Sequence, residues 1–423
     1  MDTHHWVKRL LAVIALFIPL AVHAAPDLPL DEAIALAIQE QPLLQSLDYA
    51  SASSREAAVA SAQLPDPELT FGIANLPVTS NDALRLNRDD MTMSTIGIMQ
   101  EMVPKAKREA EAGILQATAK QYQTEKTATI ESIKRDVALA WLNVFEAQRK
   151  HDLYKQLLDE MEVERKVLLS GVSTGTSEPS KILELETEVS MVRDKLLVTT
   201  RDTRTARAAL ARWIGPASER PLPAILPRAL MQIATKDQIK EIENHPLMQI
   251  AYQAVAVAQN AAERAKAERE LDWSWAVMYG QRQAGLSDMV TFQVNVELPW
   301  DRPNRQDRLL AEKQLLVDRA NKLTEDRKRE LRAEFKSVLA EAEIAKAREH
   351  EHQESLIPAA EARLKIAEAG YSAGKQNLAE VWTARRALIE VELEHWAILT
   401  DEQRAAVKLA YLLNPVSNNQ EIQ

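Results

Sequence analysis

The chain has 423 residues, 46% hydrophobic and 27% charged, with 10 glycines, 5% aromatics and no cysteine. Its net charge of −10 comes from interspersed acids and bases, so no basic stripe marks a nucleic-acid surface, and neither disulfides nor a lipid-bearing cysteine is available. Alanine, leucine, glutamate, arginine and lysine fill long stretches, which argues against compact α/β packing and for long helices.

Lys8 and Arg9 precede an apolar run from Leu10 to Val22 and then Ala24-Ala25, the layout of a secretory leader over 1–24. The run is shorter than the about 20 residues a membrane-crossing helix needs, so the mature chain is expected to be exported. Beyond it the sequence repeats one plan. Gly171-Val172-Ser173-Thr174-Gly175 matches Gly370-Tyr371-Ser372-Ala373-Gly374 at an offset of 199, which also aligns Leu210-Ala211 with Leu409-Ala410 and Pro216 with Pro415. Two repeats are expected, 25–215 and 236–415, with a linker over 216–235 and a tail over 416–423.

Each repeat reads in the same order. A helix (30–64 or 236–270) precedes two β-type runs, then comes a very long helix (105–170 or 304–369), a glycine turn and a further helix (180–214 or 377–413). At 1.5 Å per residue the long helices span roughly 100 Å and the shorter ones roughly 50 Å, so two short helices end to end match one long one, as in a wall of uniform height. Ile182, Leu185, Val189, Val192, Leu196, Thr199, Thr203, Ala206, Leu210 and Trp213 follow alternating steps of three and four. Val381, Ala384, Leu388, Val391, His395 and Ile398 repeat that seam, which suits coiled-coil packing and equally an ordinary bundle.

The β-type runs are about 68–76, 92–103, 272–283 and 289–300. Phe71 and Ile73, then Trp273, Trp275, Val277 and Tyr279, then Phe292, Val294, Val296 and Leu298 alternate with other residues, as in membrane-crossing strands. Four strands cannot close a membrane barrel, and an open edge in lipid is prohibitively costly. Strands that cross a membrane here require several chains to share one barrel.

Leu64-Pro65-Asp66-Pro67-Glu68-Leu69, Asn75-Leu76-Pro77, Gly97-Ile98-Met99-Gln100-Glu101, Val296-Glu297-Leu298-Pro299-Trp300-Asp301-Arg302 and Tyr371-Ser372-Ala373-Gly374 resemble motifs of the TolC-type outer-membrane factor family. The first motif is similar to the heavy-metal branch, whose channels pair with cation-exporting resistance–nodulation–division (RND) pumps. The resemblance spans nearly the whole mature chain. It implies a mainly α fold with a small β part: a homotrimer with a twelve-stranded barrel in outer-membrane lipid and a helical periplasmic tunnel. It also implies a periplasmic adaptor and an inner-membrane RND pump as partners, and a passive conduit for heavy-metal cations, with multidrug efflux or type I secretion as the alternative.

Gly171–Gly175 and Gly370–Gly374 have G-x-S-x-G spacing but join helix to helix, not strand to helix as a nucleophile elbow does, and no phosphate-binding loop, HExxH or cysteine pair occurs, so no catalytic residue, enzyme activity or cofactor is expected. The glycine turns supply backbone freedom, and the resemblance makes Gly171, Ser173, Gly175, Gly370, Tyr371, Ser372 and Gly374 the adaptor-docking tips. It also places a constriction at Tyr371, Lys375, Gln376 and Glu380. Here Gln376 stands at the family's arginine position and Lys181 at an aspartate position, so the usual gate network is absent in that form. Glu380 either faces a pore, where three copies would favour cations, or completes a capping box begun by Asn377.

Residues 352 and 395 lie at equal distance from the turn near 373–374, and their first-half equivalents are Leu153 and Leu196. His352 and His395 are therefore expected to face each other, either as polar packing or as a divalent-metal site. Met91, Met93, Met99 and Met102 crowd the second strand, as soft ligands or as flexible apolar filler.

Overall fold

The structure, a computed structural model, describes residues 26–39, 41–79, 81–175, 178–226 and 236–413. The leader 1–24, the tail 416–423 and residues 227–235 of the linker lie outside them. The helices are α1 (Leu30–Gln39), α2 (Pro42–Ser61), α3 (Lys105–Ser173), α4 (Pro179–Ile214), α5 (Pro246–Ala267), α6 (Gln306–Glu351), α7 (Ile357–Ser372) and α8 (Leu378–Leu413). The strands are β1 (Glu68–Ala74), β2 (Met93–Met102), β3 (Trp273–Gln281) and β4 (Met289–Val296). The fold is mainly α, with long hairpins α3–α4 and α7–α8 and one small sheet, and its element order repeats between the halves. Among the described residues no helix is long and apolar enough to cross a membrane.

Two expected helices are broken. The helix expected over 30–64 is α1 and α2, and that over 236–270 is a 3-10 segment, Lys236–Asn244, followed by α5. Both breaks fall at a proline. Gln41 (φ −78°, ψ 114°) and His245 (φ −60°, ψ 140°) are held out of the helical region by Pro42 and Pro246, whose rings collide with a helical predecessor. Each proline then opens the next helix, where its missing N–H costs nothing.

The second long helix also differs from expectation. The run 304–369 is α6, a π-turn over His352–Leu356 and α7, with Ile357 N–H reaching the His352 carbonyl. Pro358 has no N–H to give the Glu354 carbonyl and would collide with it in an α-turn; the wider turn removes that clash. The repeat offset registers the extra residue. Below the turn it is 199, whereas Ile133, Val137, Ala140, Trp141, Val144 and Ala147 correspond at 198 to Leu331, Phe335, Val338, Leu339, Ala342 and Ala345, all buried. In the first half the equivalent of Pro358 is Asp159, and α3 runs unbroken for 69 residues, roughly 100 Å.

The sheet is antiparallel in the order β1-β2-β3-β4, with outer edges on β1 and β4. Its register puts Leu69, Ile98, Val277 and Phe292 in one row and Phe71, Ile96, Tyr279 and Val290 in the next. That face is apolar yet open, with Phe71 and Phe292 each 78% exposed. The opposite face carries Thr70, Gly97, Met278 and Thr291, together with Met93, Met99 and Met289. Gly97 and Gly280 leave space for Met278 and Met93 to lie across the sheet; a Cβ at either would collide with the methionine.

Packing along the helices follows the predicted seams in four clusters. In the largest, buried Trp141 stacks on Phe145 at 5.7 Å and donates its indole N–H to the Leu28 carbonyl at 3.0 Å. Leu28 N–H in turn bonds Pro221, and Arg220 clasps Glu32 (2.6 Å) and the Pro26 and Asp27 carbonyls, so the start of the described chain is tied to the segment after α4. Where the helices meet the sheet, fully buried Lys107 pairs with Asp272 (2.6 Å) and Glu268 (3.2 Å).

His245 closes the second-half cluster. Its Nδ1 caps α5 by accepting Leu247 N–H at 3.2 Å, and its ring meets Tyr411 edge-on at 4.9 Å, with the Arg135 guanidinium 4.4 Å over the Tyr411 ring. Burial, abetted by Arg135, pushes its pKa down from 6.5 to about 4. The unfolded chain therefore takes up a proton between those values that the folded chain refuses. Stability is full above pH 6.5 and falls toward pH 4, by on the order of 3 kcal/mol. Denaturant unfolding across this range should show that fall in the wild type and a shallower one in His245→Asn, which keeps a capping acceptor.

Candidate functional site

The two hairpin tips are built alike. At the first, Thr174 ends α3, Gly175 turns with φ +74° and its N–H bonds the Val172 carbonyl at 3.1 Å. Ser173 Oγ folds back to Ser170 O at 2.7 Å. At the second, Gly374 has φ +68°, and the Lys375 and Gln376 N–H groups both return to the Gly370 carbonyl. Glycine is required at 175 and 374 because side chains disfavour that backbone region. Gly370 leaves the space in which the Gln376 side chain lies, and a Cβ there would make that side chain shift.

The expected constriction residues divide into two sets. Tyr371, 48% exposed, and exposed Lys375 project at the tip, whereas Gln376 and Glu380 line a groove between α7 and α8 with Arg363 and Ile366. Asn377 Oδ1 accepts Glu380 N–H at 3.1 Å, so the capping half of the expected box is present, while the Glu380 carboxylate stays exposed on the groove. Lys181 is exposed at the start of α4.

The ionic contacts between the hairpins lie higher up and were missed in sequence. Arg386 on α8 pairs with Glu164 of α3 (3.1 Å) and Glu188 of α4 (3.3 Å). Its neighbour Arg385 reaches Glu368 of α7 (3.1 Å) and Glu160 of α3 (3.6 Å). Glu164 is only 5% exposed; burial raises its pKa, with Arg386 opposing. The signal was present: Leu157, Met161 and Glu164 share the buried face of α3, so a carboxylate occupies a place the seam reserves for an apolar residue.

His352 and His395 do meet across the second hairpin, their rings 6.3 Å apart and 21° from parallel. The Nδ1 atoms of both are buried with no hydrogen-bond partner. Among the described residues no three metal-ligating side chains cluster.

By sequence, no protein-family model and no curated protein matches the chain. Solved structures match it over nearly their full length. A membrane protein from Pseudomonas aeruginosa superposes with a TM-score of 0.76 at 17% identity, covering 91% of this chain and 90% of that one. CusC, whose structures describe transmembrane channel formation, gives 0.72 at 15% identity over 92% of each chain. The Campylobacter jejuni CmeC outer-membrane channel gives 0.76 at 11%, over 91% of this chain and 85% of its own. The fold is that of the TolC-type channels. Within that fold, α3–α4 and α7–α8 are the two hairpins whose seam Arg385 and Arg386 bridge.

Removing the Arg386 guanidinium strands a buried carboxylate. Arg386→Ala is expected to cost about 3–5 kcal/mol locally, read as a lower thermal midpoint and faster amide exchange in α3 around Glu164. Arg386→Ala/Glu164→Gln should recover much of the loss; equal destabilisation of the double variant would mean that Arg386 acts by packing alone.

Proposed function

We propose that three copies of this chain form an outer-membrane channel of a tripartite efflux pump. The observation that carries this is the sheet: four strands with unpaired outer edges and an exposed apolar face, set on a helical body roughly 100 Å long. Joining β4 of one copy to β1 of the next would pair every edge, turn Phe71 and Phe292 to lipid, and place the polar and methionine-bearing face inside. The likeness in fold to CmeC and CusC supports the same reading.

In this arrangement the helices hang into the periplasm and the two glycine turns point away from the outer membrane. Gly171, Ser173, Gly175, Gly370, Tyr371, Ser372 and Gly374 dock the adaptor, and an inner-membrane RND pump supplies the energy. The conduit itself does no covalent chemistry. The Gln376–Glu380 groove edges the periplasmic opening, and the Arg385–Arg386 contacts hold the second hairpin against the first. We assign heavy-metal cations as cargo, on the heavy-metal-type motif Leu64–Leu69 and on three exposed Glu380 carboxylates at the opening.

Membrane fractionation should recover an SDS-resistant trimer in the outer membrane; a monomer in the soluble periplasm overturns the channel reading. Ser173→Cys and Ser372→Cys are expected to crosslink to the adaptor in the assembled pump, and their complete failure removes the tips as docking sites. Deletion should sensitise cells to zinc, cadmium, cobalt, copper or silver; sensitisation to dyes and detergents alone makes this a multidrug channel. Arg386→Ala should raise single-channel conductance in planar bilayers, and an unchanged conductance separates the ionic contacts from gating.

A further inference from the structure

We propose that His352 and His395 form a two-imidazole site for a divalent transition-metal ion of the zinc, nickel or copper(II) class, which ties the π-turn to α8. The site does not depend on which cargo the channel carries. His352 is 5% exposed and His395 half-buried, and the two rings lie nearly parallel, 6.3 Å apart. Each has a shielded Nδ1 with no partner. Satisfied burial is the rule for polar atoms, so two orphaned ring nitrogens on facing elements point to a shared ligand.

The backbone places the pair. The extra residue of the π-turn begins at His352, and π-turns commonly mark functional positions in helices. One ion holds two nitrogens within about 4 Å of each other, given metal–nitrogen bonds of about 2.0–2.1 Å. Binding one ion therefore requires a turn of one ring, which the proposal gives to His395 as the more exposed of the two. With no third protein ligand among the described residues, water completes the shell and the ion stays exchangeable.

The full chain, purified in detergent, is titrated with zinc and nickel by calorimetry and loaded with copper(II) for electron paramagnetic resonance. Expected are one ion per chain and a two-nitrogen copper signature. In His352→Gln and His395→Gln, affinity should fall about tenfold or more and the signature drop to one nitrogen. Equal binding by the double variant places the metal on His151, His245 or His350 and overturns the proposal. Should the variants misfold by circular dichroism, the wild type decides alone: no binding, or one coordinated nitrogen, also overturns it. Trimer formation and conductance are read separately, so failure of this site leaves the channel reading standing.

Discussion

Backbone hydrogen bonding at the edges of the sheet sets the terms for everything else. Among the described residues, β1 and β4 each present a row of N–H and C=O groups that no other strand pairs, beside an exposed face of Leu69, Phe71, Ile98, Val277 and Phe292. In water this would invite aggregation, and in lipid each open polar group costs several kcal/mol. In the proposed channel such a chain is one segment of a closed wall. The packing agrees, because the apolar residues form four separate clusters strung along the helices rather than one central core. Large apolar side chains such as Leu183, Leu197, Leu315 and Ile366 stay exposed on helix faces that a neighbouring segment would meet.

A wall of thin seams has little apolar area at any one height, and buried ionisable groups pin it where helices change partners. Lys107 with Asp272 and Glu268 stands where the helices join the sheet. His245 and Arg135 hold Tyr411 where two short helices stack end to end. Glu164 and Arg386 stand between the hairpins. Such pairs add little net stability over apolar substitutes, but breaking one strands a buried charge, so they oppose slippage of one helix along another. Heptad seams without them would tolerate a shift of register.

Periodicity and repetition made the architecture legible. The alternating steps of α4 and α8 identified their seams, and the equal distance of His352 and His395 from the turn brought those rings together as expected. Asn377 was recognised as a cap from its spacing to Glu380. What stayed illegible depended on pairing between distant elements. Arg385 and Arg386 look like an ordinary charged face until α3 is laid beside α8, and Lys107 resembles any helix lysine until Asp272 comes under it. The breaks at Pro42 and Pro246 were within reach, but both prolines were read as positions inside one continuous helix although each demands an extended residue before it.

The π-turn shows how a small covalent difference separates two copies of one plan. Pro358 removes one N–H from the ladder, and its ring would clash with the preceding turn of a regular α-helix. One inserted residue absorbs the clash, and the repeat offset changes from 198 to 199 across it, so the buried faces above and below both keep their register. The first hairpin has no such residue and forms a stiff rod 69 residues long. The second carries a π-turn that starts at His352, so the two hairpins differ in helix geometry at that height. Arg385 and Arg386 hold that hairpin to the first about three helical turns below His395 on the same helix. The second hairpin thus carries both the change of helix pitch and ionic contacts to the first, at separate heights along its length.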